Sequence, residues 1–514
     1  MAVAPPSSPL AGQRRQSFAK GGIVNLVGAG ANAVLTFLLV VVLTSRVGKE
    51  QVGAFMVGVA ALTILSQTVQ LGANTGLVRF VALMRVRGDG HLIRPLVPRV
   101  FVPVAIAGIA GAVILTFAAS SMAELLGGDA DAELAVRYLR LIAPIVPFAG
   151  LFLVASQFSQ AFGTMTPAVA VDKIGRSLAQ VIGLAIFAPV GAVAVVAAYG
   201  IAYPVGLVVL AIWIGRLLTR FEHDLPPPSG DHAGPPVREF WTFSAPRGLS
   251  TMFQVTVLWA DTILIGFLRS IDEAAVYSVA TRYLLIGHLV IGALLQAMSP
   301  RLAEFLAQGS IKRAQGLYQR TASWIVAAVW PTYLGIAIFA PWLLRLFGDD
   351  YVEGASALRI VAVAMLVAAA CGAVDNVLLM AGKSWLSVAN WGAALVVNIT
   401  LNLVLIPLWG IDGAAVAWAA SILVRNVIPV FEVWFMFGIH PVSAMYARVV
   451  VASLVVIGGS SLAAVSIFGM GFRAVVVGAV PGALVYLALV YRWWKRIELP
   501  SIDAPHPDDV AAGG

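Results

Sequence analysis

Residues 243–268 read FSAPRGLSTMFQVTVLWADTILIGFL, a run of 26 whose only charges are Arg247 near its start and Asp261 in its second half. A hydrocarbon core of about 30 Å takes about 20 apolar residues in a helix, so this run is long enough to span a bilayer. A charge within such a span costs about 2.5 to 3.5 kcal/mol on insertion scales. Asp261 therefore needs a partner charge, a water-filled path or a bound ligand.

The pattern continues on both sides. Thirteen further apolar runs place helices near 21–45, 52–78, 97–121, 136–160, 167–189, 191–215, 275–299, 321–344, 354–381, 384–407, 411–437, 445–468 and 472–493, and their inner charges are chiefly Arg282, Asp375, Arg425 and Glu432. The 514 residues are 60% hydrophobic and 11% charged, with mean hydropathy +0.92, whereas soluble domains carry about 25% charge. The fold class this predicts is an all-α polytopic membrane protein of about fourteen transmembrane helices. The net charge of +8 sits on residues that flank spans, where it sets topology and meets anionic headgroups, so nucleic acid is not the expected partner. Cys371, the single cysteine, lies in an apolar run and excludes an internal disulfide or a thiolate metal cluster. No P-loop, metal-ligand cluster, nucleophile elbow or dinucleotide fingerprint appears, so an enzymatic or ATP-driven reading has no motif to rest on.

Residues 1–20 are polar and Pro-rich and read as a cytoplasmic tail; Arg14-Arg15 lacks the spacing of a twin-arginine signal, and 21–45 reads as an uncleaved first helix. With that tail inside, inner segments and helix ends hold 23 of the 33 Lys and Arg and the outer ones 8. The bias puts both termini in the cytoplasm. Acidic residues such as Asp129, Asp272 and Asp349 mark the outer loops. None of those loops is long, which disfavours a polymerase or glycosyltransferase.

Residues 217–240 carry Pro226-Pro227-Pro228 and Pro235-Pro236 and read as a cytoplasmic linker. It separates an N-lobe over 21–216 from a C-lobe over 241–437, with two more helices in 438–494 and a second cytoplasmic tail over 495–514. The halves repeat. Gln51-Val52-Gly53-Ala54-Phe55 recurs as Glu273-Ala274-Ala275-Val276-Tyr277 at an offset of 222, and Ala161-Phe162-Gly163 as Met380-Ala381-Gly382 at 219. A six-helix unit starts both copies on one side of the membrane, so the repeat is parallel about an axis along the membrane normal, and a substrate path belongs between the lobes.

These repeats, with Val47-Gly48-Lys49-Glu50 after helix 1, Asp261 and Gly266 in helix 7, Ala280-Thr281-Arg282 in helix 8 and Lys383 after helix 10, resemble the multidrug, oligosaccharidyl-lipid and polysaccharide (MOP) exporters. The resemblance is to their polysaccharide branch, the Wzx-type flippases, and covers nearly the whole chain. It implies two six-helix lobes around a central cavity, two further helices, and a bacterial inner-membrane location. It also implies an undecaprenyl-pyrophosphate-linked oligosaccharide as substrate, moved to the outer leaflet by alternating access for cell-surface polysaccharide synthesis. Membrane lipids and polymerase or export machinery are the implied partners. No cofactor is implied beyond a coupling H+ or Na+. Two rivals stay open: an ion-coupled drug antiporter, which would want an acidic cavity, and a peptidoglycan-precursor flippase.

A lipid pyrophosphate brings negative charge into the membrane, and Arg suits it because its planar fork meets phosphate oxygens bidentately. Arg282 and Arg425, deep in helices 8 and 12, are the first candidates. Arg79 and Arg247, at the cytoplasmic ends of helices 2 and 7, either receive the headgroup or snorkel to lipid. Asp261 is an ion-coupling candidate or an ion-pair partner for Arg282; Asp375 and Glu432 are second candidates. Asn32, Gln67, Asn74, Gln254, Asn376, Asn398 and Asn402 either line a sugar path or pair between helices. Residues 302–320 mix apolar and basic side chains and read as a helix lying along the inner face.

Overall fold

A computed structural model describes residues 9–87, 89–125, 130–162, 164–223 and 237–496. Most of the Pro-rich linker lies outside these residues, as do residues 1–8 and 497–514. All regular structure among the described residues is helical. Helix α1 is Pro9–Arg46. Then follow α2 over Lys49–Arg85, α3 Gly90–Ser121, α4 Glu133–Gln160, α5 Ala168–Val190, α6 Ala192–His223 and α7 Val237–Leu268. Helix α8 is assembled from Ile271–Ala280, a 3-10 turn at Thr281–Leu284 and Leu285–Ala307. Next come α9, Ile311–Phe347, and α10, Asp349–Ala370. The 54-residue Ser384–Phe437 breaks at Gly410 (φ 57°, ψ −133°) into two limbs, α11 (384–409) and α12 (411–437). The chain closes with α13, Ala444–Phe468, and α14, Phe472–Trp493. Among the described residues twelve helices are long and apolar enough to cross a membrane; separating α11 from α12 and adding α8 gives the fourteen expected from hydropathy.

The departures from expectation are local. Helix α1 starts at Pro9 instead of near 21, because proline at a first helical position gives up no intrahelical bond and the Leu, Ala, Gln and Arg that follow favour helix. Expected as one helix, α2 breaks at Leu71 (φ 52°) and Gly72 (φ 76°). At the break α2 backbone meets α7 backbone: a Cβ on Gly248 would lie 2.6 Å from the Leu71 carbonyl carbon. Gly372 (φ 65°) ends α10 early, so Asp375 and Asn376 occupy a separate short helix, Val374–Met380. The inner-face helix expected over 302–320 is not a separate element. Its first part ends α8, Gly309 (φ 68°) turns the chain, and its second part forms the opening turns of α9, with Ala314 and Tyr318 buried.

Within the first half α3 packs on α4, α4 on α6 and α1 on α5; within the second, α7 and α10 both pack on the α11–α12 pair. The halves meet where α2 runs along α7 and against the start of α8, joined at that end by a Lys49–Glu353 ion pair. Helices α13 and α14 attach to α9, where the Tyr486 hydroxyl donates to the Ala327 carbonyl at 3.0 Å.

The two repeated segments therefore lie on helices that touch each other, α2 and the start of α8. A Cβ on Gly53 would run into the Ile271 carbonyl oxygen and lie 2.6 Å from the Ile271 side chain. Backbone cannot give way there as a side-chain tip can, so Gly53→Val is expected to destabilise the purified protein by about 1 to 3 kcal/mol. A thermal melt in detergent would show it, and an unchanged midpoint would count against this packing.

Candidate functional site

Helix α7 delivers Asp261 to the meeting point of α7, α8 and α11, where it is 1% exposed. Three neutral donors surround it: Tyr277 Oη at 2.8 Å on Oδ2, and Asn398 Nδ2 at 3.0 Å and Asn402 Nδ2 at 2.7 Å on Oδ1. The two asparagines are one turn apart on α11, so both amides point to one oxygen. Their own Oδ1 atoms are buried without a hydrogen-bond partner. The carboxylate is thus solvated by dipoles and not neutralised by a cation. Asn398 and Asn402, for which a sugar path and pairing between helices both stood open, are fully buried and pair across to Asp261.

The ion pair between Asp261 and Arg282 does not form. Arg282 lies in the 3-10 turn of α8 and points across the boundary between halves, with Nη2 3.3 Å from Met56 Sδ on α2 and its guanidinium 4.7 Å from the Trp259 ring on α7. It is 9% exposed, and its Nε has no hydrogen-bond partner. A sulfur and an indole face are weak substitutes for the water such a cation gives up.

Arg79 on α2 and Arg247 on α7 are exposed and converge on one ring. Their guanidinium carbons lie 4.0 and 4.8 Å from the Phe243 centroid. Two like charges, one from each half, therefore share an aromatic plate.

A third group gathers near α12. Arg425 stacks on Trp391 at 4.3 Å, its Nε buried without a partner; Asp375 is the carboxylate within its electrostatic reach. Glu432 is held by Asn390 Nδ2 at 2.8 Å. The remaining amides make local or interhelical bonds. Asn376 Nδ2 donates to Ser299 Oγ at 2.9 Å, Asn32 accepts from Ser177 Oγ at 2.7 Å, and Gln67 accepts from Gln70 at 2.8 Å. Asn74 accepts from its neighbour Thr75, and Gln254 is exposed.

Sequence reasoning missed one cluster. Lys173 and Arg176 fall within the span predicted over 167–189 and entered above only in the count of inner basic residues; both lie inside α5 with Asp172, on a π-helical segment, Ala168–Arg176. Arg176 Nε meets Asp172 Oδ1 at 2.9 Å. The available signal was the four-residue spacing of Asp172 and Arg176, which puts them on one helical face.

The comparisons with known proteins agree with this architecture. The family described as Polysaccharide biosynthesis protein matches residues 18–306, and the MatE family matches 246–404. The chain is 23% identical over 224 residues to the probable low-salt glycan biosynthesis flippase Agl15 of Haloferax volcanii, covering 43% of this chain and 46% of that one, so it spans about half the length of that relative. Two solved structures show the same fold. The lipid II flippase MurJ in an inward closed conformation superposes with a TM-score of 0.71 at 13% identity, over 91% of this chain and 98% of MurJ. An inward-facing multidrug resistance transporter of the MATE family gives 0.64 at 18% identity, over 79% and 94%. A family match over more than half its length makes this chain a member of the polysaccharide biosynthesis protein family, within the polysaccharide branch of the MOP exporter superfamily.

Proposed function

We propose that the protein is a flippase that carries an undecaprenyl-pyrophosphate-linked oligosaccharide across the bacterial inner membrane, with both termini in the cytoplasm, by alternating access of its two halves. The observation that carries this reading is Arg282: a buried guanidinium at the boundary between halves, without a carboxylate partner, next to aromatic rings. Left alone, such a cation is a liability. With a diphosphate it makes short charge-assisted bonds. Arg79 and Arg247 take the incoming headgroup, since an anion between them relieves their mutual repulsion. The acyl tail stays among lipids, and polymerase or export proteins take the product on the far side.

Asp261 serves as the site for a coupling H+ or Na+, because its three donors leave its charge uncompensated. A drug antiporter is disfavoured by the cationic character of Arg79, Arg247, Arg282 and Arg425. A peptidoglycan-precursor flippase shares the diphosphate chemistry, and the resemblance to MurJ favours keeping it as the second reading. A deletion strain separates the two. Accumulation of a lipid-linked surface oligosaccharide on the inner leaflet is expected; accumulation of lipid-linked peptidoglycan precursor favours the second reading, and neither accumulating defeats both.

A further inference from the structure

The charged cluster of α5 has no part in the site above. Its one carboxylate, Asp172, is fully engaged: Oδ1 takes Arg176 Nε at 2.9 Å and Oδ2 accepts from Ser156 Oγ at 3.2 Å. Arg176 is satisfied as well, donating from Nη1 to Gln180 Oε1 at 3.1 Å. Lys173 is the cation left over. It turns away to α1, where Nζ donates to Asn25 Oδ1 at 2.6 Å and to the Asn25 carbonyl at 3.5 Å. Two cations against one acid leave the cluster with a net positive charge inside a membrane span.

The cluster also continues into aromatic rings on α6. The Arg176 guanidinium stands 5.6 Å from the Tyr203 ring, Tyr203 lies 6.1 Å from Tyr199 centroid to centroid, and Tyr199 is within electrostatic reach of both Arg176 and Arg282. A cation and two aromatic faces thus lead from α5 into α6.

We propose that Lys173, steered by Asn25, is a phosphate-binding site of the first half, a station for the lipid diphosphate separate from Arg282. The inference rests on the flippase reading. An ammonium held by the side-chain and backbone oxygens of Asn25 keeps one further N–H donor, and its charge, for an anion, and Asn25 fixes its direction without neutralising it. The Asp172–Arg176 pair keeps the neighbouring acid occupied, so that Lys173 is not quenched. The rival explanation is a tether in which Lys173 merely joins α1 to α5.

Charge and tether separate by substitution. Purified full-length protein in nanodiscs would be titrated with farnesyl diphosphate, with farnesol as the uncharged control. Lys173→Gln keeps a donor for Asn25 and loses the charge; it is expected to weaken diphosphate binding at least tenfold, while Lys173→Arg stays within about threefold. Asn25→Asp strengthens the tether and neutralises the ammonium, and is expected to weaken binding as Lys173→Gln does. It keeps the test decisive if Lys173→Gln fails to fold. Wild-type binding in Lys173→Gln or in Asn25→Asp, alongside weakened binding in Arg282→Met, overturns this station and leaves the flippase reading standing. A wild-type protein that does not prefer diphosphate over farnesol overturns both.

Discussion

Arg282→Met is expected to lower transport at least about thirtyfold while leaving the purified protein no less heat-stable than the original. The two halves of that expectation have separate causes. Hydrogen bonds to a charged group are worth about 1.5 to 3 kcal/mol, and a loss of about 2 kcal/mol from substrate binding in the moving complex is a factor of about 30. Stability moves the other way, because replacing a buried uncompensated charge by an apolar side chain of similar length is commonly neutral or favourable, and Met56 and Trp259 already offer an apolar seat. Transport of a fluorescent lipid diphosphate in proteoliposomes, with a thermal melt beside it, measures both. Full transport activity in the variant would remove the principal support for the flippase reading.

The second large effect concerns Asp261. Its replacement by Ala strands the Tyr277 hydroxyl and the amides of Asn398 and Asn402, all buried. Each unsatisfied group costs about 1 to 3 kcal/mol, so Asp261→Ala is expected to lose at least about 3 kcal/mol of stability. Asp261→Asn keeps one acceptor oxygen and the side-chain shape, so it should fold. It loses the charge, and its transport rate is expected to stop responding to imposed H+ or Na+ gradients. Vesicles with and without each gradient test this, and a response equal to that of the original would exclude Asp261 from coupling.

The spans were legible because bilayer thickness writes itself into the length of each apolar run. Their interruptions were less so. Gly410 stands between two predicted helices and was readable as a break, but the kink at Leu71 (φ 52°) sits where α7 backbone packs closely, a contact that lies in another part of the chain. At the candidate site, charge and span membership marked out Asp261 and Arg282, and hydropathy could go no further. Which helix each faces is decided by packing, and the partners found, Asn398 and Asn402, are 137 and 141 residues from Asp261. Lys173 was passed over for another reason: near the predicted start of a span, the same basic residue reads equally as a topology signal or as an occupant of the membrane.

The contact of Gly53 with Ile271 places the two copies of the repeat against each other, yet the chemistry of the two copies has diverged. At the offset of 222, Asp261 corresponds to Leu39 and Arg282 to Ala60. A perfectly symmetric rocker would have no reason to respond to an ion on one side more than the other. With a carboxylate in one half and a hydrocarbon at the equivalent place in its twin, any ion that binds Asp261 acts on one half alone; in a parallel repeat such asymmetry distinguishes the two halves from each other and not the two faces of the membrane.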